Sequence, residues 1–154
     1  MEALNKLLKK RTTLVFIDLE GTQFSHEITA IGCCKVHCDE NGNIISEPTC
    51  YKRYVKCYGQ IGRIVTSMTS IDNNTLKYNG ITFEEMLNEL NHFINEELSS
   101  CAFLVFGSND VKMFIESIKY SQPNNESIAL EICNHTIDFL AFISQFIRDK
   151  NGNN

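Results

Sequence analysis

Two carboxylates, Asp18 and Glu20, stand where the first apolar run of the chain ends, TLVFID at residues 13–18. An unbroken apolar run containing β-branched residues predicts a strand that is buried on both faces. Residues two apart on a strand point to the same side, so the two carboxylates face one point. Paired carboxylates repel each other and are the ligands that Mg²⁺ or Mn²⁺ prefers. The alternative is an acidic strand end that caps the next element, although the following Gly21-Thr22 is not a capping pattern.

The elements that must position this pair begin with a hairpin. Residues 27–38 predict a second strand, Asn41-Gly42 gives a strong hairpin turn signal, and residues 44–57 predict a third strand that is interrupted near Pro48. A short helix and a turn follow at residues 64–76.

The second half of the chain alternates helices and strands. Thr82 and Glu85 have capping-box spacing, and the apolar positions after them predict a helix that reaches residue 98. The remaining predicted elements are a strand at 102–106, a helix from Ser108 or Asn109 to Tyr120, a last strand at 128–133, and a helix at 137–149 capped by Asp138. A hairpin followed by strand–helix units predicts an α/β fold with a ribonuclease-H-like mixed sheet flanked by helices.

Composition limits the function classes. The chain has 154 residues, a net charge of −5 and a sequence pI of about 5.3. Proteins that bind long nucleic acids non-specifically are usually basic, so any contact of this chain with nucleic acid should be short and local, such as a strand end held by a metal. The acidity suits a small nucleotide or a protein partner equally well. We expect a basic arm at 1–11, one domain at 12–150 and a polar tail at 151–154.

The seven cysteines are scattered without the spacing of a disulfide framework. No secretory leader and no membrane-spanning run is evident, so we expect a cytoplasmic protein with reduced thiols and no membrane partner. Zinc binding by Cys33, Cys34, His37 and Cys38 is the alternative. Their side chains would alternate between the two faces of a strand, which favours buried or edge thiols over a tetrahedral site.

The motif FIDLEGTQ at residues 16–23, followed by HEITAIG at 26–32, resembles the first motif of the DEDD-superfamily 3′–5′ exonucleases, which include proofreading subunits and RNA-trimming enzymes. IVTSMTSI at 64–71 is similar to the family's next segment, with Ser70 in place of the usual glycine. The residues at 79–93 resemble the helix that follows that segment.

Two later segments continue the resemblance in family order. FGSNDVKMF at 106–114 is similar to the second exonuclease motif, which makes Asp110 the third metal ligand, and NHTIDF at 134–139 resembles the next strand-to-helix step. The resemblance implies a two-ion Mg²⁺ or Mn²⁺ site. In it, Asp18 bridges both ions, Glu20 holds the ion on the nucleophile side, and Asp110 holds the other largely through water.

The resemblance also implies that the loop after Glu20 contacts the substrate. Gly21, Thr22, Gln23 and Phe24 are the candidate substrate-binding residues, because this loop wedges against the terminal base in the family. The implied substrate is a single-stranded 3′ end of DNA or RNA, or a nucleotide. The sequence does not decide between DNA and RNA, nor does it give the oligomeric state.

The third family motif, a His or Tyr followed by an Asp, has no counterpart that we find before Asn154. His135 and Asp138 are too closely spaced and too early. Two hypotheses follow: a metal-dependent 3′–5′ exonuclease, or a catalytically incomplete module that binds nucleic acid, nucleotide or a protein partner. Loss of the helix that carries this motif would also expose an apolar face, which favours a dimer or aggregation.

Other polar residues have a structural and a functional interpretation. His26 is a loop residue or a phosphate contact, and His92 is a surface residue of its helix. The basic residues near the N-terminus form a solvated arm or a phosphate contact: Lys6, Lys9, Lys10 and Arg11. A second cluster on the third strand predicts an ordinary exposed strand face: Lys52, Arg53 and Lys56.

Overall fold

A six-stranded mixed sheet organises the chain in the computed structural model, which describes residues 6–8 and 10–146. The strands are β1 (Thr13–Gly21), β2 (Ile28–His37), β3 (Thr49–Val55), β4 (Gly80–Ile81), β5 (Cys101–Val105) and β6 (Thr136–Asp138). Their order across the sheet is β4-β3-β2-β1-β5-β6. β1, β2 and β3 pair antiparallel, whereas β5 runs parallel to β1 and β6 runs parallel to β5. The predicted hairpin followed by parallel strands is confirmed.

Residues 63–143 contain six α-helices. They are α1 (Arg63–Thr69), α2 (Asn73–Asn79), α3 (Phe83–Ile94), α4 (Asn109–Ser121), α5 (Glu126–Asn134) and α6 (Phe139–Ile143). The predicted capping box is present, because Thr82 accepts from the Glu85 amide and Glu85 accepts from the Thr82 amide. The helix it starts ends at Ile94, earlier than predicted, and Leu98 lies in a separate 3₁₀ turn.

The main core fills one face of the sheet. Val15, Ile17 and Leu19 of β1 point into it and meet the apolar sides of α3, α4 and α5. Phe103 and Phe114 are its largest fully buried aromatic side chains. Burying a side chain of this size stabilises the fold by roughly 1.5–3 kcal/mol, so this face holds β1 firmly in place.

The opposite face of the sheet is covered only at its two ends in the described part of the chain. One end carries a small cluster around Leu14 and Leu8, and the other carries a cluster in which Ile71 and Leu76 pack on Ala30. Between them, Phe16 remains 40% exposed. The expectation that β1 is buried on both faces is therefore wrong for its middle, because no described helix covers that part of the sheet.

The predicted strand at 128–133 is wrong, since these residues lie within helix α5. Ala129 and Ile132 are fully buried in the main core. Their spacing of three residues matches one face of a helix, and this packing overrides the β-branched content of the segment. The sheet instead gains its last strand from Thr136–Asp138. Helix α6 then starts at Phe139, where Asp138 accepts from the Ala141 amide as the predicted cap.

Cys34 and Cys50 form a disulfide between β2 and β3, so the expectation that every cysteine is a free thiol is wrong for this pair. The two residues are direct partners across the strands, with Cα atoms 4.2 Å apart. Five cysteines are free, and three of them are buried: Cys33, Cys38 and Cys101. Burial raises the pKa of the Cys33 thiol to about 12, which keeps it protonated and unreactive.

Only part of the predicted N-terminal arm lies within the described residues. Residues 6–8 are helical, and Leu8 is buried against Leu14, so this part of the predicted arm packs on the sheet. Lys9 and the predicted polar tail at 151–154 lie outside the described residues. Within the residues that the structure describes, no helix has both the length and the apolar character needed to cross a membrane.

Candidate active site at the carboxyl edge of the sheet

Three parallel strands bring acidic residues to one edge of the sheet. Asp18 and Glu20 lie near the end of β1, Asp110 lies in the first turn of the helix that follows β5, and Asp138 ends β6. Because β1, β5 and β6 run in the same direction, their carboxyl ends meet at this edge. The fold therefore brings Asp18, Glu20, Asp110 and Asp138 to the same edge of the sheet.

The pKa shifts show which carboxylates affect one another. Burial and the negative charge of Asp18 raise the pKa of Glu20. Burial also raises the pKa of Asp110, and the charges of Asp18 and Asp138 add to the effect, while the backbone amides of Asp110 and Leu19 oppose it. Among the described residues, none of these four carboxylates has a Lys, Arg or His nitrogen within 4.0 Å. Carboxylates without a basic partner, two of which have pKa values raised by burial and by a neighbouring acid, form a site that favours cation binding.

Two properties decide whether these carboxylates fit a divalent metal: the type of donor atom and how closely the side chains come together. The oxygen-only donors are those that Mg²⁺ and Mn²⁺ prefer, so the chemistry fits. No three His, Cys, Asp or Glu side chains converge tightly enough to hold a metal within the described residues. Asp18, Glu20 and Asp110 thus share an edge and an electrostatic field but not one coordination sphere.

A glycine turn positions Asp110. Gly107 adopts a φ of 121°, a conformation that L side chains rarely take, and it turns the chain from β5 into α4. Asp110 is 9% exposed in the first turn of that helix. The positive end of the helix dipole favours its ionised form there, in opposition to burial and to the neighbouring acids.

The loop after Glu20 is held by a buried hydrogen-bond network. The Thr22 hydroxyl is 2.6 Å from the Ser25 hydroxyl and accepts from the Glu27 amide at 3.0 Å. The Thr22 amide in turn donates to the Glu27 carbonyl at 2.9 Å. Thr22, which is 3% exposed, therefore shapes the loop from inside.

The Glu27 carboxylate joins this loop to a second one. It is 3% exposed and accepts from the Ser25 hydroxyl at 2.6 Å, the Tyr58 amide at 2.7 Å and the Gly59 amide at 2.8 Å. A charged acceptor with three donors is among the stronger polar interactions in a fold. Residues 22–27 and 57–62 are consequently fixed against each other beside the acidic edge.

The remaining candidate substrate residues differ in what they can reach. Phe24 is 80% exposed and is free to contact a ligand. Gln23 packs against Gly62, where an added Cβ would require the end of the Gln23 side chain to move. Gly21 faces the protein, because a Cβ there would lie 3.0 Å from the Met113 sulfur and 3.2 Å from the Glu27 carbonyl oxygen. Its small size serves the packing of α4 on β1.

An open cleft of about 250 Å³ lies on the less covered face of the sheet, next to the acidic pair. Asp18 and Glu20 line one side of it, and Lys52 and Tyr54 of β3 line the other. Lys52 belongs to the cluster that the sequence predicts to be an ordinary exposed strand face. It is exposed, but the sheet register directs it toward the acidic cleft.

No family model matches the chain, and neither does any curated protein. Solved structures do. The nuclease domain of 3′hExo, a DEDDh family member bound to rAMP, matches with a TM-score of 0.57 and 18% identity over 74% of this chain and 62% of that one. E. coli Exonuclease I in complex with a dT13 oligonucleotide matches with a TM-score of 0.60 and 15% identity over 92% of this chain. Cell-death related nuclease 4 matches with a TM-score of 0.59 and 17% identity over 73% of this chain.

The chain shares the fold of these three nucleases. The predicted ribonuclease-H-like architecture is confirmed with it. The chain spans 33% of the length of the Exonuclease I structure and 41% of that of the cell-death nuclease.

Two acidic residues beside the candidate site are not expected there from the sequence. The sequence predicts only a capping role for Asp138, yet its charge helps to raise the pKa of Asp110. An acidic residue at the end of a third parallel strand is the signal that indicates it. The sequence marks Glu27 only as part of a motif, because no local pattern predicts the Tyr58 and Gly59 amides that it binds.

The structure also shows the positions of His26, His92 and Arg53. His26 lies near Glu116 of α4, and its charge is a minor cause, after the Lys119 hydrogen bond, of the lowered Glu116 pKa. It lies in the loop beside α4. His92 is exposed on α3, as predicted. Arg53, on the strand face opposite Lys52, pairs with Glu89 at 2.8 Å.

Proposed function

We propose that this chain is a metal-dependent 3′–5′ exonuclease domain that removes nucleotides from single-stranded DNA or RNA ends. The observation that carries the proposal is the set of unpaired carboxylates Asp18, Glu20 and Asp110 at the carboxyl edge of an exonuclease fold, with pKa values of Glu20 and Asp110 raised partly by Asp18. The crystallised relatives with this fold include one in complex with a dT13 oligonucleotide and one bound to rAMP.

In this proposal Asp18, Glu20 and Asp110 hold one or two Mg²⁺ or Mn²⁺ ions. Such ions activate the attacking water and neutralise charge on the leaving oxygen when they are bound. Asp138 adds negative charge at the same edge and so strengthens the attraction for cations. The exposed ring of Phe24 offers a stacking surface for the terminal base, on a loop that Glu27 keeps in place.

A second candidate function is binding of nucleotide or a short single strand without efficient cleavage. It is favoured by one observation: in the described part of the chain, no three ligand side chains converge on a metal position. A site that holds a cation weakly and lacks a general base would lose roughly 10²–10⁴-fold in rate. Binding through Phe24 and the acidic edge would survive that loss.

The test is incubation of the whole chain with a 5′-labelled single-stranded oligonucleotide and Mn²⁺, followed by separation of the products by length. Stepwise shortening from the 3′ end is expected for the wild type. Glu20→Gln and Asp18→Asn are expected to abolish it. Glu40→Gln, which removes an exposed carboxylate in the turn after β2, is the matched control and is expected to leave activity unchanged.

Calorimetry with the same oligonucleotide separates the two candidates. Binding without shortening contradicts the exonuclease proposal and supports the second function. Absence of both binding and shortening, with and without Mn²⁺, contradicts both functions. Shortening that persists in Glu20→Gln shows that the acidic edge is not the site.

A cytoplasmic location is also part of the proposal. Buried Cys33, Cys38 and Cys101 are free thiols, which suits a reducing compartment. The Cys34–Cys50 disulfide is the feature that argues against it. Fractionation of cells that express the tagged chain would test the location, and recovery from the secreted fraction would contradict it.

A further inference from the structure

Lys52 lies in one row with the first acidic residue of the site. Asp18 of β1 is the direct partner of Gly32 of β2, and Gly32 is the direct partner of Lys52 of β3. Directly opposite residues of neighbouring strands have their side chains on the same face of a sheet. Asp18 and Lys52 therefore point from the same face, with one strand between them.

Gly32 leaves the space between these two side chains open. A Cβ placed on Gly32 would meet only the Asp18 carbonyl oxygen, at 4.0 Å. Neighbouring strands lie about 4.8 Å apart, so the backbones of Asp18 and Lys52 are separated by roughly 10 Å. That width accommodates a phosphate group between the carboxylate and the ammonium, and the cleft of about 250 Å³ occupies this position.

The Lys52 ammonium is available for a ligand. It is exposed, and no carboxylate oxygen in the described part of the chain lies within 4.0 Å of it. It lies over the Tyr54 ring, 5.8 Å from nitrogen to ring centre. Arg53, the next residue, is by contrast held on the opposite face by Glu89 and by the Tyr51 ring.

The charge balance of the cleft explains why a cation would be useful there. Without bound cations, Asp18 and Glu20 repel an approaching phosphate, and positive charge on the other side of the cleft offsets that repulsion. A lysine is a compact point charge that binds phosphate oxygens well. No other Lys or Arg lines this cleft among the residues that the structure describes.

We propose that Lys52 binds a non-bridging oxygen of the terminal phosphate of a nucleotide or single-stranded end seated beside Asp18 and Glu20. This inference rests on the proposed function and adds a substrate-contacting residue from β3. Lys52 is a substrate contact in this proposal, since it orients the phosphate across the cleft from the acidic pair.

The test compares Lys52→Met with Lys52→Arg and with the control Arg53→Met. The control removes one positive charge from the same strand, on the other face. Calorimetry with dTMP and Mn²⁺ is expected to show affinity at least tenfold weaker for Lys52→Met, near wild type for Lys52→Arg and unchanged for Arg53→Met. Affinity for thymidine, which lacks the phosphate, is expected to be equal in all four proteins.

Salt dependence gives a second readout that a structural role would not change. For single strands the slope of log K against log salt is about −0.7 per phosphate contact, so Lys52→Met is expected to make the oligo-dT slope less negative by about 0.7.

If the wild type binds and Lys52→Met behaves like Arg53→Met, this inference is overturned while the proposed function stands. If the wild type binds neither dTMP nor oligo-dT, the proposed function fails and this inference fails with it.

Discussion

The negative charge of Asp18, near the end of β1, helps to raise the pKa of Asp110, which begins the helix after β5. The two residues are 92 positions apart in the chain, and the parallel pairing of β1 with β5 brings their ends together. Burial is the larger cause of the shift, and Asp138 adds to it. A buried carboxyl beside two other acids stabilises the fold less when it is ionised than when it is protonated.

Stability should therefore depend on pH through Asp110. Its folded pKa lies above the ordinary value of 3.8, so the folded protein binds more protons than the unfolded chain between these two values. The protonated Asp110 carboxyl contributes stability that is fully present below the unfolded pKa and is lost as pH rises through the folded pKa. We expect Asp110→Asn to be more stable than the wild type at neutral pH and to lose this part of the pH dependence, in urea unfolding followed from acid to neutral pH.

Asp72 provides a control of opposite sign. It caps α2, and hydrogen bonds from the backbone and the side chain of Thr75 lower its pKa. Its contribution to stability is present above the unfolded pKa and is lost as pH falls through the folded one. Asp72→Asn should therefore lose stability at neutral pH. An Asp110→Asn protein that is less stable than the wild type at neutral pH would show that the carboxylate is stabilised there by contacts that outweigh burial and the neighbouring charges.

Glu27 should matter more for the fold than any exposed carboxylate. Its two oxygens accept one hydroxyl and two amide donors, and its side chain is buried. In Glu27→Gln an NH₂ group replaces one acceptor oxygen and faces a donor, which leaves buried groups unpaired at a cost of about 2 kcal/mol. Chemical denaturation should show this loss, and the exposed Glu40→Gln should show almost none.

Hydrogen exchange localises the same effect. Glu27→Gln should speed exchange at the Tyr58 and Gly59 amides, since both donate to the lost carboxylate. Amides of the main core, such as that of Phe103, should change little. Equal acceleration throughout the sheet would mean that Glu27 acts on global stability and does not hold the two loops together.

The start of β1, the hairpin turn and the helix caps could be predicted from the sequence because their signals are local, whereas β1 continues past Asp18 to Gly21. The run before Asp18, the Asn41-Gly42 turn and the Thr82 capping box each depend on a few neighbouring residues. Helix α5 could not be predicted in the same way. The apolar residues of this segment are also compatible with a strand, and the packing of Ile132 in the main core selects the helix. The position of Lys52 depends on the register of three strands, which local patterns do not fix.

The Cys34–Cys50 disulfide should stabilise the hairpin that carries Lys52. The two cysteines are 16 positions apart, and closing a loop of about that length in the unfolded chain is worth roughly 3 kcal/mol in the chain-entropy model. We expect the double variant Cys34→Ser, Cys50→Ser to lose up to about that amount in urea unfolding. Reductant should lower the stability of the wild type toward that of the variant and leave the variant unchanged. Equal stability of the two proteins without reductant would contradict the prediction.

Ser70 occupies a position where the backbone favours glycine. It ends α1 with a φ of 61° and a ψ of 14°, in the left-handed region, and its amide donates to the Thr66 carbonyl. That conformation costs an L-residue roughly 1–2 kcal/mol, and glycine avoids this cost. Glycine also loses more backbone entropy on folding, which costs about 0.5–1 kcal/mol and offsets part of the gain. Ser70→Gly should therefore raise the free energy of unfolding by up to about 1 kcal/mol, measured by thermal or urea unfolding.

Ser67→Gly, inside the same helix, is the matched control: it removes a hydroxyl that donates to the Ile64 carbonyl and should lower stability by about 1 kcal/mol. If both variants lose stability equally, the strain at Ser70 is relieved by contacts of its own side chain, and the end of α1 is held by more than its backbone conformation.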